Sequence, residues 1–169
     1  MSYPFEIHNA AAFRALSPED ESALLSAARL LQAASLRGAP APQLKGKNLG
    51  MLCSDDEAHR ESRALFEGAA KALGAHVATV RPGPSNLGMP GEIQHAARIL
   101  GRFYDAVECQ GLPPEVVREI GRHAGIPVYD GAACASHPTA RLAAWLDART
   151  SPAANRSFVL QALLLGSVN

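Results

Sequence analysis

Net charge of either sign is missing from this sequence: 16 Lys and Arg balance 16 Asp and Glu over 169 residues. A nucleic acid or an anionic membrane surface therefore finds no electrostatic handle, and neither is expected as a partner. A neutral surface at working pH instead permits self-association. Cysteine is scarce as well. Cys53, Cys109 and Cys134 lie far apart without a Cys-x-x-Cys pair. That argues against a disulfide frame or a thiolate zinc site and predicts reduced thiols in the cytoplasm. The opening residues Met1-Ser2-Tyr3-Pro4-Phe5-Glu6 offer no basic region followed by an apolar run, so no signal peptide is expected. The longest apolar stretch, residues 158–165, is interrupted by Gln161 and is too short to span a bilayer. What remains is a globular composition, 47% hydrophobic and 19% charged. It is enough for one core and too short for two ordinary domains.

Hydrophobic periodicity divides the chain into alternating elements. Ser17-Pro18-Glu19-Asp20 opens a helix: Ser17 caps, Pro18 suits the first position, and the acids favour the positive helix end. Leu24, Leu25, Ala28 and Leu31 follow at helical spacing, and Gly38, Pro40 and Pro42 end the run. Short apolar runs predict strands at 48–53, 76–80, 104–109 and 126–129. Helices are predicted from a cap at Ser54-Asp55-Asp56-Glu57 to Gly74, over 91–101, over 113–124, and from Ser136-His137-Pro138 to near Ala148. The strands do not alternate polar and apolar residues, as expected when helices cover both faces. The pattern predicts an α/β fold: a doubly wound parallel sheet of about four strands. Ligands in such sheets bind beyond the carboxyl ends of the strands. That directs attention to loops 54–63, 81–91, 110–114 and 130–137. A small-residue linker, 149–154, precedes a final apolar helix, 155–167, which must bury its face on this domain or on a neighbouring chain.

Several segments resemble the aspartate/ornithine carbamoyltransferase family, and its ornithine branch most of all. Leu44-Lys45-Gly46-Lys47-Asn48-Leu49 is similar to the entry into the family's first strand. Arg63-Ala64-Leu65-Phe66-Glu67 and Leu73-Gly74-Ala75-His76 resemble the helix after its phosphate loop. Ser85-Asn86-Leu87-Gly88 and residues 97–107 resemble the next loop, helix and strand. Ile126-Pro127-Val128 and His137-Pro138-Thr139 resemble the last strand and the helix start after it. Residues 155–162, Asn-Arg-Ser-Phe-Val-Leu-Gln-Ala, resemble the family's closing helix. The resemblance implies a carbamoyl-phosphate-binding-like domain over residues 1–148. A linker, 149–154, would replace the amino-acid-binding domain, and a helix, 155–169, would pack back on the first unit. It also implies a homotrimer, no cofactor and no metal.

Carbamoyl transfer needs a dianionic phosphate held by cations and amides, a polarised carbonyl and a positioned amine. The resemblance places His59-Arg60-Glu61-Ser62-Arg63 on the family's phosphate loop. Arg63 and Ser62 match its end, whereas Glu61 stands where a central Arg is expected. At about 4 Å and an effective dielectric of about 20, each charge counts for up to roughly 4 kcal/mol. Arg60 is the adjacent substitute. Gln110 takes the place of another Arg, keeping a donor without charge. Met89 and Ala140 replace a basic residue and a Gln. The candidates for holding a carbamoyl compound or small anion are thus Arg60, Ser62, Arg63, Gln110 and His137, with His137 the candidate for the carbamoyl carbonyl. Simpler roles stand beside these. The plainer alternatives are His137 packed beside Pro138, and Arg63 paired with Glu67 at i,i+4. Asp55, Asp56 and Glu57 read as partners of a helix dipole rather than as a metal site. His59 and His76 lack ligand spacing, and Ser62 lacks a neighbouring base. The reading is a degenerate carbamoyltransferase-like protein with transferase activity weak or lost. The alternatives are an active enzyme with a rearranged phosphate site, and a non-catalytic partner of a full-length carbamoyltransferase subunit.

Overall fold

The computed structural model describes residues 16–39, 42–53, 56–83 and 87–168. Along the chain run α1 (Pro18–Leu36), β1 (Asn48–Cys53), α2 (Arg60–Ala72), β2 (His76–Val80), α3 (Pro90–Phe103), β3 (Ala106–Gln110), α4 (Pro114–Ala124), β4 (Val128–Asp130), α5 (Pro138–Ala143) and α6 (Pro152–Ser167). The strands form one sheet in the order β2-β1-β3-β4, and every pairing is parallel. Helices lie on both faces, as the alternating pattern predicts.

Side-chain alternation on each strand sorts the core into two layers. Leu49, Met51, Ala106 and Tyr129 join α1, α2, α5 and α6 in one cluster. Leu52, Val107, Cys109 and Val128 join α3 and α4 in the other. α6 packs against α1, α2 and α5. It is buried almost all round, from Asn155 to Ser167, as a helix apolar on every side must be. Gln32 of α1, itself fully buried, ties down the approach to α6: its Nε2 donates to Thr150 Oγ1 at 2.7 Å and to Asp147 Oδ1 at 3.2 Å.

Local chemistry fixes the element ends, several of which depart from the sequence expectation. Ser17 caps α1 in a capping box, accepting the Asp20 N–H at 3.1 Å. The helix expected from residue 54 begins later. Asp56 caps a 3₁₀ turn, Glu57–His59, before α2 starts at Arg60; Ser54 and Asp55 lie outside the described residues. α5 stops at Ala143 instead of near Ala148. Its continuation tightens into i→i−3 bonds, Trp145 N to Leu142 O and Leu146 N to Ala143 O. Asp147 then draws the Arg149 N–H onto its own carboxylate. α6 begins three residues early because Ser151 caps it and Pro152 suits its first turn. The third strand starts at Ala106, since the Tyr104 N–H still bonds back to Leu100 of α3. The fourth starts at Val128, after Pro127. β2 does not have both faces covered: at the sheet edge, His76, Ala78 and Thr79 are exposed.

Glycine matters where layers touch. A Cβ on Gly101 would lie 1.9 Å from the Ala124 carbonyl oxygen, so α3 and α4 approach at backbone distance. Among the described residues no helix is long and apolar enough to cross a membrane.

Candidate functional site

Strand order reverses between β1 and β3, because β1 is followed by β2 on one side while β3 and β4 extend the other. The crevice beyond the carboxyl ends of these two strands is where such sheets take ligands. Cys53 of β1 and Gln110 of β3 are register partners at that point. Ser62, in the first turn of α2, has its hydroxyl 3.1 Å from both Gln110 Oε1 and His59 O, which share its single proton. The amide nitrogen of Gln110 is buried and has no hydrogen-bond partner among the described residues. Sequence spacing and tertiary packing thus unite Ser62 and Gln110.

The two arginines diverge. Arg63 is half-buried, its Nη1 3.9 Å from Cys53 Sγ. Its expected i,i+4 pair with Glu67 does not form; Glu67 instead holds Lys71 at 2.5 Å. Lys71 lies on the exposed face, while Arg63 reaches toward Cys53 at the end of β1. Arg60 is exposed and grips Glu57 at 2.6 Å. Glu61 is also exposed.

A cavity of about 480 Å³ opens at the carboxyl ends of β3 and β4. Cys109, Asp130, Cys134, Ser136 and His137 line it with Gly111, Leu112, Gly131 and Pro138. Asp130 is the one formally charged side chain among them. His137 is buried and caps α5: its Nδ1 accepts the Thr139 N–H at 3.2 Å and lies 2.9 Å from Thr139 Oγ1. A backbone N–H can only donate, so in the neutral ring the proton sits on Nε2. The Thr139 hydroxyl in turn donates to Ala132 O at 2.7 Å.

Three residues of this region are not among the site candidates of the sequence reading. Glu108 is fully buried; its Oε1 accepts the Ala132 N–H at 3.0 Å, and Oε2 lacks a hydrogen-bond partner among the described residues. Burial, above all, raises this carboxyl to about 8, with Asp130 adding to the effect and the N–H groups of residues 131–133 opposing it. Cys134 has its thiol raised, chiefly by burial, although the Ser62 hydroxyl and Arg156 favour the thiolate. A raised thiol is a poor nucleophile. Arg156, from α6, donates through Nη2 to Ala133 O at 2.7 Å. Among the described residues no three His, Cys, Asp or Glu side chains converge as a metal site would require.

A family model described as the aspartate/ornithine carbamoyltransferase carbamoyl-P binding domain matches residues 9–150. Among solved structures, the chain is similar to ornithine carbamoyltransferase from Pyrococcus furiosus (24% identity, TM-score 0.67), covering 80% of this chain and 42% of that one. It is similar to ornithine carbamoyltransferase from Thermus thermophilus (26% identity, TM-score 0.60), covering 80% and 45%. It is similar in fold to the catalytic subunit of M. jannaschii aspartate transcarbamoylase (19% identity, TM-score 0.61), covering 85% of this chain and 45% of that one. The chain therefore spans less than half the length of these structures.

Proposed function

The chain belongs to the aspartate/ornithine carbamoyltransferase family through its carbamoyl-phosphate-binding domain, and on that premise we propose that it is a degenerate member. In this reading the crevice beyond β1, β3 and β4 takes a small carbamoyl compound or anion weakly, and transferase activity is weak or lost. One observation carries it: among the described residues lining the cavity, the one formally charged side chain is negative, Asp130. A phosphate dianion entering there meets repulsion where binding demands cations. Arg60 is committed to Glu57 on the surface, and Arg63 lies against Cys53. His137 and the Gln110 amide remain as uncharged donors suited to a carbonyl oxygen. Residues 149–154 stand, in this proposal, in place of the domain that would deliver the amine.

Calorimetry with carbamoyl phosphate and inorganic phosphate tests the reading. Dissociation constants weaker than about 1 mM are expected for both, a binding free energy no better than about −4 kcal/mol. Citrulline formation from ornithine is expected to stay at background. Binding tighter than about 100 μM that Arg63→Ala abolishes would instead establish a rearranged, working phosphate site.

A second reading concerns assembly. Met89, Ile99 and Phe103 are 64%, 41% and 70% exposed along α3. Ile99 also lines an apolar groove of about 620 Å³ between α3 and the carboxyl end of β2. We propose that copies of the chain associate through this face as a homotrimer, which a full-length carbamoyltransferase subunit could also join. The three free thiols suit a reducing compartment, the cytoplasm.

A further inference from the structure

The turn between β4 and α5 carries the cavity wall and His137, yet it has few anchors of its own. Two are short local bonds, Cys134 N to Gly131 O and His137 N to Cys134 O. The remaining anchors converge on its first residues. Arg156 holds Ala133 O from outside, and Thr139 holds Ala132 O. From beneath, Glu108 holds the Ala132 N–H. Residue by residue these bonds connect Glu108 to His137: the carboxyl accepts the Ala132 N–H, the Ala132 carbonyl accepts the Thr139 hydroxyl, and the Thr139 N–H donates to His137 Nδ1.

We propose that Glu108 is the positioning residue of the site: its buried carboxyl holds the Ala132 N–H and, through the bond from the Thr139 hydroxyl to the Ala132 carbonyl, the place of the His137 ring. An ordinary buried strand residue would be apolar, and a carboxyl group in the core is costly unless its bonds are needed. Glu108 acts through other residues and lies on the opposite side of β3 from Cys109, which lines the cavity. Its protonation is then felt at His137. At neutral pH the carboxyl is a neutral acid. On ionisation it pulls harder on the N–H groups of residues 131–133 and repels Asp130. The other titratable groups near it are Tyr129 of β4 and Cys134 of the turn, with Cys109 next to it on the other face of β3; all three hold their own protons more firmly for its presence. Arg156 supplies the nearest formal positive charge on the turn.

The relevance to binding rests on the cavity being the ligand site, but the test needs no ligand. Nitrogen-15 NMR of the full chain is followed from pH 6 to pH 9.5 in wild type, Glu108→Gln, Glu108→Leu and Thr139→Val. In wild type the Ala132 amide and both His137 ring nitrogens are expected to share a step centred near pH 8. Glu108→Gln retains an acceptor for Ala132 and is expected to abolish the step while leaving the ring shifts at pH 7 as in wild type. Thr139→Val is expected to keep the step at Ala132 and remove it from His137. In Glu108→Leu the Ala132 amide is expected to exchange with solvent about tenfold faster, the loss of one hydrogen bond. A step that persists in Glu108→Gln, or its absence from wild type, overturns the proposal whether or not Glu108→Leu folds. A cavity that proves empty in calorimetry would sink the ligand reading and leave this one standing.

Discussion

At neutral pH the Glu108 carboxyl keeps its proton, because burial raises it to about 8 from an ordinary 4.5. The unfolded chain gives that proton up near pH 4.5, so between the two values the folded state binds more protons than the unfolded one. Stability from this group is therefore complete below about pH 4.5, declines as pH rises, and is gone above about pH 8. At about 1.4 kcal/mol per unit the whole swing is on the order of 5 kcal/mol. Glu108→Gln is expected to flatten it: urea midpoints at pH 5.5 and pH 9 should differ less than in wild type. Equal pH slopes in the two proteins would exclude the assignment. The same residue shows what a sequence hides. Ser62, Gln110 and His137 could be found because they stand in recognisable segments. Glu108 sits inside Ala-Val-Glu-Cys-Gln, which reads only as a short buried strand. Nothing in that pattern says which peptide its carboxyl will meet. Arg156 is hidden for a related reason: it reaches the turn from the last helix, a relation that only packing reveals.

Among the elements, α3 and α4 are joined most closely at Gly101. The added methyl of Gly101→Ala would sit 1.9 Å from the Ala124 carbonyl oxygen, and a backbone atom cannot move aside as a flexible side chain can. Alanine gains about 1 kcal/mol in helix propensity over glycine. Overpacking costs typically 1–3 kcal/mol and more where backbone is displaced. A net loss of about 1–2 kcal/mol is expected in chemical denaturation. An unchanged or higher midpoint would mean that the two helices separate freely. Element type was legible almost throughout, since the apolar runs and proline or serine caps are local signals. The ends were less so. α5 closes early because Asp147 competes for backbone N–H groups, and a competition between bonds leaves no periodic trace. β2 looked as apolar as its neighbours, yet its edge position exposes it; strand order is a property of the whole sheet.

For the molecule as a whole, the alternation of short apolar strands with helices was sufficient to give the doubly wound class, because few topologies bury such strands on both faces. Assembly is the property still to be measured. If α3 is the contact face, sedimentation at tens of micromolar should give a mass of three chains, and Phe103→Asp should shift it toward one. A monomeric wild type would remove the trimer from consideration. Within one chain, the order of synthesis has its own consequence. α1 is made early and α6 late, yet each covers the other, and α6 also shields α2 and α5. One whole layer of the core therefore stays unroofed on the ribosome while the opposite layer, α3 and α4 on β3, is already available. The nascent chain should consequently expose its greasy side to chaperones until residues 152–167 emerge.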